Sequence, residues 1–246
     1  MSEYQYYEFL AIDSPLDERQ QAALVYVSNW GTRRLMFRLP RHVLDLDTVE
    51  DYRVGHHLSA WTADEFLVLD MTSEDESDDF EFNYEAEARL SATVGVRTEL
   101  AAGDLRPLYL AWLAGYGDWE RDENAFEPDA DQSLEPLVPP GLATLTAPQR
   151  AFADFLRLDD ELLASAARTS PPFAGAADDQ MMAWIKKLPL AEKNELLARV
   201  VREPGTTVRM ELLRRFRDIH TTATAAPRRT VADLLDNAAR LRTEKV

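Results

Sequence analysis

The feature that most constrains this chain is a change of hydrophobic period near residue 90. Before it, short aromatic and aliphatic runs are cut by turn residues: 4–12 (YQYYEFLAI), 23–30 (ALVYVSNW), 33–39 (RRLMFRL), 56–62 and 66–72. Side chains that alternate between two faces in this way are the pattern of strands. In 66–72, Phe66, Val68 and Asp70 alternate against Leu67, Leu69 and Met71. Both faces are largely apolar, which predicts a central strand. Residues 46–53 read as a short helical turn. Phe80, Phe82 and Tyr84 interleave with acids at period two, the pattern of a sheet-edge strand with one aromatic face.

Beyond residue 90 the spacing turns helical. Two helices are expected over 90–100 and 104–115, with Gly103 closing the first and Asp104 capping the second. Leu105, Leu108, Tyr109 and Trp112 give the second an apolar stripe. Residues 117–140 hold Gly117, a crowd of acids and Pro128, Pro136, Pro139 and Pro140, the composition of a semi-extended connector. Further helices follow at 146–156, where Thr146 caps and Pro148 sits in the first turn, and at 159–167, 178–188, 190–202, 208–220 and 230–244. The expected fold is α+β: an N-terminal mostly antiparallel sheet with flanking helices, followed by an all-α C-terminal bundle. The expected divisions are 1–116, 117–140 and 141–246.

Charge divides along the same line. Residues 1–140 carry 10 Lys/Arg and 30 Asp/Glu, a net of −20, and residues 141–246 carry 17 and 14, a net of +3, which together give the −17 of the whole chain. The acidic excess repels phosphate and anionic lipid, so nucleic acid is an unlikely partner and a basic protein surface a favoured one. The chain has no cysteine, which removes disulfides and thiolate chemistry and fits a reducing compartment. No apolar run is long enough to span a membrane, and the acidic, aromatic start does not read as a secretory signal.

Candidate chemistry is sparse. His56 and His57 are the most visible titratable pair, with Asp70 as a possible carboxylate on a neighbouring strand. Adjacent strand residues point to opposite faces, so the two histidines do not readily share one metal. The acidic run over 73–87 lacks the glycine of a calcium loop and reads as a solvated edge that discourages strand-to-strand aggregation. Asp118, Glu120, Asp122, Glu123, Asp129 and Asp131 crowd the connector and read as solvated. Arg209, Arg214, Arg215, Arg217, Arg228 and Arg229 form a basic group that suits phosphate contacts or, given Glu211 and Asp218 among them, ion pairing with the acidic half. No Gly-x-Ser-x-Gly elbow and no glycine-rich phosphate loop is present.

The blocks YQYYEFLAIDSPL (4–16) and VSNWGTRRLMFRLP (27–40), with LRPLYLAWLAG (105–115) and RRTVADLLDNA (228–238), resemble a family of bacterial proteins with no established activity. The resemblance implies a bacterial cytoplasmic protein and nothing about chemistry. The chain departs from it in the short stretch, about 17–25, between the opening strand and the Asn-Trp-Gly block. Taken together, the sequence favours a non-enzymatic interaction or scaffold module with no cofactor, metal or catalytic residue assigned. The acidic sheet half is expected to meet a basic partner and the helical half to dock protein. The alternatives are an enzyme with a dispersed site around His56, His57 and Asp70, and a nucleic-acid-associated protein using the arginine group.

Overall fold

Alternation in the first third of the chain produces one antiparallel sheet. The computed structural model describes residues 5–8, 25–28, 32–54, 57–73, 86–116, 133–173, 176–202, 208, 211–212, 215–216 and 228–244. The strands are β1 (Gln5–Glu8), β2 (Val25–Ser28), β3 (Arg33–Pro40), β4 (Leu58–Ala63) and β5 (Phe66–Ser73), in the order β1-β2-β3-β5-β4. Every neighbouring pair is antiparallel. β4 and β5 form a hairpin closed by Asp64 and Glu65, and Asp64 takes a left-handed φ of 52°, which the short polar side chain tolerates and a primed turn needs. The chain leaves β3, crosses through α1 (Leu46–Glu50), and enters β4 on the far side of β5. β5 is therefore an interior strand, as its two apolar faces predict.

Odd positions of β3 and β5 point inward. Leu35, Phe37, Leu39, Leu67, Leu69 and Met71 are buried and make the floor of the core. α2 (Ala86–Ala101) and α4 (Ala147–Phe155) meet that floor directly. α3 (Arg106–Ala114), α5 (Asp160–Ala167) and α8 (Val231–Glu244) extend the same buried cluster, while α6 (Ala176–Lys187) and α7 (Leu190–Arg202) lie between α5 and α8 in sequence. Residues 208, 211–212 and 215–216 are also helical. α3 departs from the expected one-sided stripe: every residue from Arg106 to Leu113 is buried, because after Arg106 the segment PLYLAWL has no charge to turn toward water. Tyr109, Trp112 and Tyr116 stack along it at centroid spacings of 5.4 and 5.0 Å.

One core runs across the 117–140 connector. Leu35, Phe37 and Leu69 of the sheet belong to the same cluster as Phe152, Phe155, Leu162, Val231 and Leu234. Phe37 meets Phe152 at a ring-centroid distance of 6.4 Å. The end of α4 is closed by the sheet itself. Arg33 donates to the carbonyls of Asp154 and Phe155, and the Ser73 hydroxyl donates to that of Leu156. Within the described part of the connector, Glu135, Pro136 and Pro139 are buried. The expected boundary thus carries core contacts across it, since neither half covers its apolar surface alone. Among the described side chains, none of α6 or α7 belongs to that cluster.

Capping follows sequence at most helix starts. Thr146 and Gln149 form a reciprocal capping box on α4, and Asp159 caps α5. Asp104 differs from expectation: Leu105 is the N-cap of α3 and makes no side-chain cap bond. Asp104 stands one residue earlier, where it accepts from the Arg106 backbone N–H and holds the Arg106 guanidinium.

Gly95 is the close-approach point between α2 and α4. A Cβ there would lie 2.4 Å from Cγ of Pro148. Helix propensity alone favours Gly95→Ala by about 1 kcal/mol. The clash reverses that sign, so the variant is expected to unfold at lower urea concentration than the wild type. A higher unfolding midpoint would contradict the packing of α2 on α4.

Candidate functional site

The sheet's outer face carries the first candidate. Register places His57, Ser59, Trp61, Val68, Asp70, Thr72, Arg34, Met36 and Arg38 on that face. Asp70 is only 7 % exposed and spends both carboxylate oxygens on Arg34, with Nε to Oδ1 at 2.8 Å and Nη2 to Oδ2 at 2.5 Å. This bidentate pair raises the Arg34 pKa above its ordinary value, through hydrogen bonding to Asp70 first. The His57 ring donates from Nδ1 to the Thr72 carbonyl at 3.2 Å, a tautomer set by the acceptor. His57 and Asp70 thus share a face, but the structure gives each a structural partner. Asp70 is a cross-strand ion pair rather than the acceptor of a histidine base. Arg38 lies over the Phe66 ring at 3.5 Å, which shields that end of the face. His56 lies outside the described residues.

A second candidate is buried where the connector meets α3, α5 and α8. Glu135 is 2 % exposed. Its carboxylate accepts from the Tyr109 hydroxyl and takes a two-pronged contact from Arg229, Nε to Oε2 and Nη2 to Oε1, both 2.8 Å. Arg229 also donates to the Ser165 carbonyl and to Thr169 Oγ1. Ser165 passes its own hydroxyl to the Leu234 carbonyl at 3.1 Å. Backbone bonds from Glu135 N–H to the Arg229 carbonyl and from Val231 N–H to the Ser133 carbonyl, both 2.9 Å, zip the connector to the start of α8. Burial, with the Glu135 charge beside it, pushes the Tyr109 phenol far above its usual range, so it stays protonated and donates. Burial alone would lower Arg229, but hydrogen bonding to Glu135 and its charge outweigh that and hold it above its usual value. The polar atoms of this cluster are spent on one another, which makes it a fastener.

A third group ties α2, α3 and α4. The Gln149 amide donates to both Glu99 and Asp104, each at 2.9 Å, and Thr146 donates to Glu99 at 2.7 Å. Arg106 completes it with Asp104 and the carbonyls of Gly141 and Thr144. The two carboxylates thus share the Gln149 amide as donor, and the buried Arg106 guanidinium compensates the charge of Asp104. Among the described residues, no group of three or more His, Asp or Glu side chains is placed to hold a metal ion.

The arginine group does not form a phosphate surface in its described part. Arg215 pairs with Glu192 at 2.7 Å and Glu211 at 2.5 Å, and Glu211 also takes Arg199 at 2.6 Å. Arg229 is in the Glu135 fastener, while Arg228 is exposed. Arg229 thus pairs with Glu135 of the acidic half, as the charge split suggested, whereas Arg215 takes its acids, Glu192 and Glu211, from the helical half itself. Arg209, Arg214, Arg217, the acidic run over 74–85 and the connector carboxylates over 118–131 lie outside the described residues.

What remains open is a surface on α6 and α7. Leu190, Leu197 and Val201 are 74 %, 66 % and 87 % exposed. Their spacing of seven and then four residues puts them on one stripe of α7. Val200 flanks the stripe, and Met182 on α6 is also exposed. The opposite side of α7 is the packed one. Leu196 is buried there, Arg199 and Glu192 make their ion pairs, and Trp184 of α6 meets Phe216 at 5.8 Å. α7 thus has two apolar sides and one covering.

The sequence reading missed Glu135 and this stripe. Glu135 sits between Leu134 and Pro136, with Leu137 next, in a connector otherwise rich in acids, a weak sign of burial. The stripe was legible as an apolar row, Leu190, Leu197 and Val201, separate from the side that holds Leu196. No described helix is long and apolar enough to cross a membrane. Compared with protein-family models, curated proteins and solved structures, the chain matches none.

Removing one side of the fastener leaves a buried charge without its partner. Glu135→Gln is expected to cost about 3–5 kcal/mol in urea unfolding. The Tyr109 contribution has a pH signature. With its folded pKa raised, the stabilisation is complete below the ordinary tyrosine value of 10.0 and is lost as pH rises past it. The stability gap between wild type and Tyr109→Phe should therefore shrink by about 1.4 kcal/mol per pH unit above that value. A gap that stays constant in alkali would contradict the buried hydrogen bond.

Proposed function

We propose that the chain is a non-enzymatic protein-interaction module of the bacterial cytoplasm, and that it docks a partner protein through the exposed apolar stripe of α7. The observation that carries this reading is the exposure of Leu190, Leu197 and Val201 on one helix side while Leu196 is buried on the other. Fully burying an aliphatic side chain contributes about 1.5–3 kcal/mol, so three left in water represent a large unused term. Contiguous apolar patches on a protein surface mark contact sites. Lys193 of α7, whose ammonium donates to the Lys186 carbonyl at the end of α6, adds a cation near the start of the stripe, which suits a partner with an acidic rim.

No specific observation favours the enzymatic reading, since Asp70 is held by Arg34. None favours nucleic acid, since Arg215 and Arg229 are paired within the chain.

Leu197→Glu with Val201→Glu is the test. Both sites are exposed, so stability should stay within about 0.5 kcal/mol of wild type. Capture of partner proteins from source-cell extract should fall to background. Unchanged capture by a folded double variant would sink the reading. Light scattering of both proteins separates hetero-association from self-association, which would appear as a wild-type oligomer that the variant lacks.

A further inference from the structure

We propose that the outer edge of β4 is a second docking site, taking an extended polypeptide segment with basic side chains as a sixth strand of the sheet. This rests on the reading of the chain as a partner-binding protein, but on a different surface from the α7 stripe.

β4 ends the sheet order, and among the described residues its far edge pairs with no strand. The Thr72 N–H donates to the His57 carbonyl at 3.0 Å, which makes His57 and Thr72 a hydrogen-bonded pair. By alternation, Ser59, Trp61 and Ala63 turn their backbone groups toward β5, and Leu58, Ala60 and Thr62 turn theirs outward. Natural edges are blunted by charge, proline, bulges or cover. The segment Leu-Ser-Ala-Trp-Thr-Ala has no charge and no proline, and its register with β5 runs without a bulge. Trp61, Thr62 and Ala63 are exposed in succession, so this half of the strand is open on both faces as well as along its edge. Trp61, 40 % exposed on the outer face, offers an aromatic surface to alternate side chains of an added strand.

Charge selects the occupant. α1 packs beside β4 and exposes Asp47, Glu50 and Asp51, and the hairpin tip exposes Asp64 and Glu65. Two cations stand among these five carboxylates, Arg53 bridged to Glu50 and Arg41 on the Asp64 carbonyl, so a negative excess remains around the strand. The neutral strand is therefore bracketed by carboxylates. A second copy would bring the same carboxylates and another net −17 to the edge, whereas lysine or arginine side chains on an incoming strand meet opposite charge.

The probe is a short synthetic peptide alternating lysine and valine, with a glutamate–valine peptide as control. The expected result is salt-sensitive binding of the lysine peptide alone, with hydrogen-exchange protection gained at the amides of Ala60 and Thr62. Thr62→Pro removes an outward N–H without touching the β5 ladder, so it should weaken binding roughly tenfold, the equivalent of about one main-chain hydrogen bond. Glu65→Lys with Glu50→Lys, which leaves the strand itself intact, should weaken it as well and flatten the salt dependence. The inference is overturned if the lysine peptide fails to bind at millimolar concentration, if it binds without protecting Ala60 and Thr62, or if the edge mediates self-association instead. Leu197→Glu should leave this binding unchanged, so failure of the α7 reading and failure of the edge reading are separately visible.

Discussion

The buried carboxylate of Glu135 is the interaction on which the arrangement of the helical half depends. It draws Tyr109 from α3 and Arg229 from the start of α8 to one point, and Arg229 extends the network to Ser165 on α5. Burying a charge without partners is prohibitive, so the three elements are held to one geometry. That geometry places Val231, Leu234 and Leu235 of α8 against α5, and it packs the end of the connector around Glu135 and Pro136. The ion pair's value lies in the register it imposes, because an apolar replacement of similar shape would bury as comfortably without specifying where α8 starts.

The sheet supplies the other fixed reference. Its inner face is a row of aliphatic and aromatic residues that α4 must cover, and α4 is stopped by Arg33 and Ser73 from that same sheet. Its outer face is organised by arginine: Arg34 clamps Asp70, and Arg38 lies over Phe66. A face that looks catalytic in sequence, with histidine and aspartate on neighbouring strands, is one where polar groups hold strands in register.

Period and turn chemistry made most of the fold legible. The positions of β3, β4, β5, α4 and α5 followed from alternation, from the Thr146 cap, from helical spacing and from the proline breaks, because these signals are local. What was not legible depends on contacts distant in sequence. The charge imbalance between halves suggested two electrostatic modules, but which acid meets which arginine is decided by packing. Glu192, Glu211 and Glu135 receive the cations, and no periodicity in the sequence announces it. The burial of α3 on every side, by contrast, was written in the uncharged run PLYLAWL, which the one-sided stripe of Leu105, Leu108, Tyr109 and Trp112 under-read.

The closure of α4 by Arg33 links residues 121 and 122 positions apart. During synthesis the inner face of β3 therefore waits for more than a hundred further residues before Phe152 arrives to cover Phe37. Long loops of this kind slow folding, and an uncovered apolar sheet is the species that aggregates. The nascent chain must accordingly keep a half-finished sheet soluble on the ribosome, and the dense negative charge of its first 140 residues supplies that protection through self-repulsion between neighbouring chains.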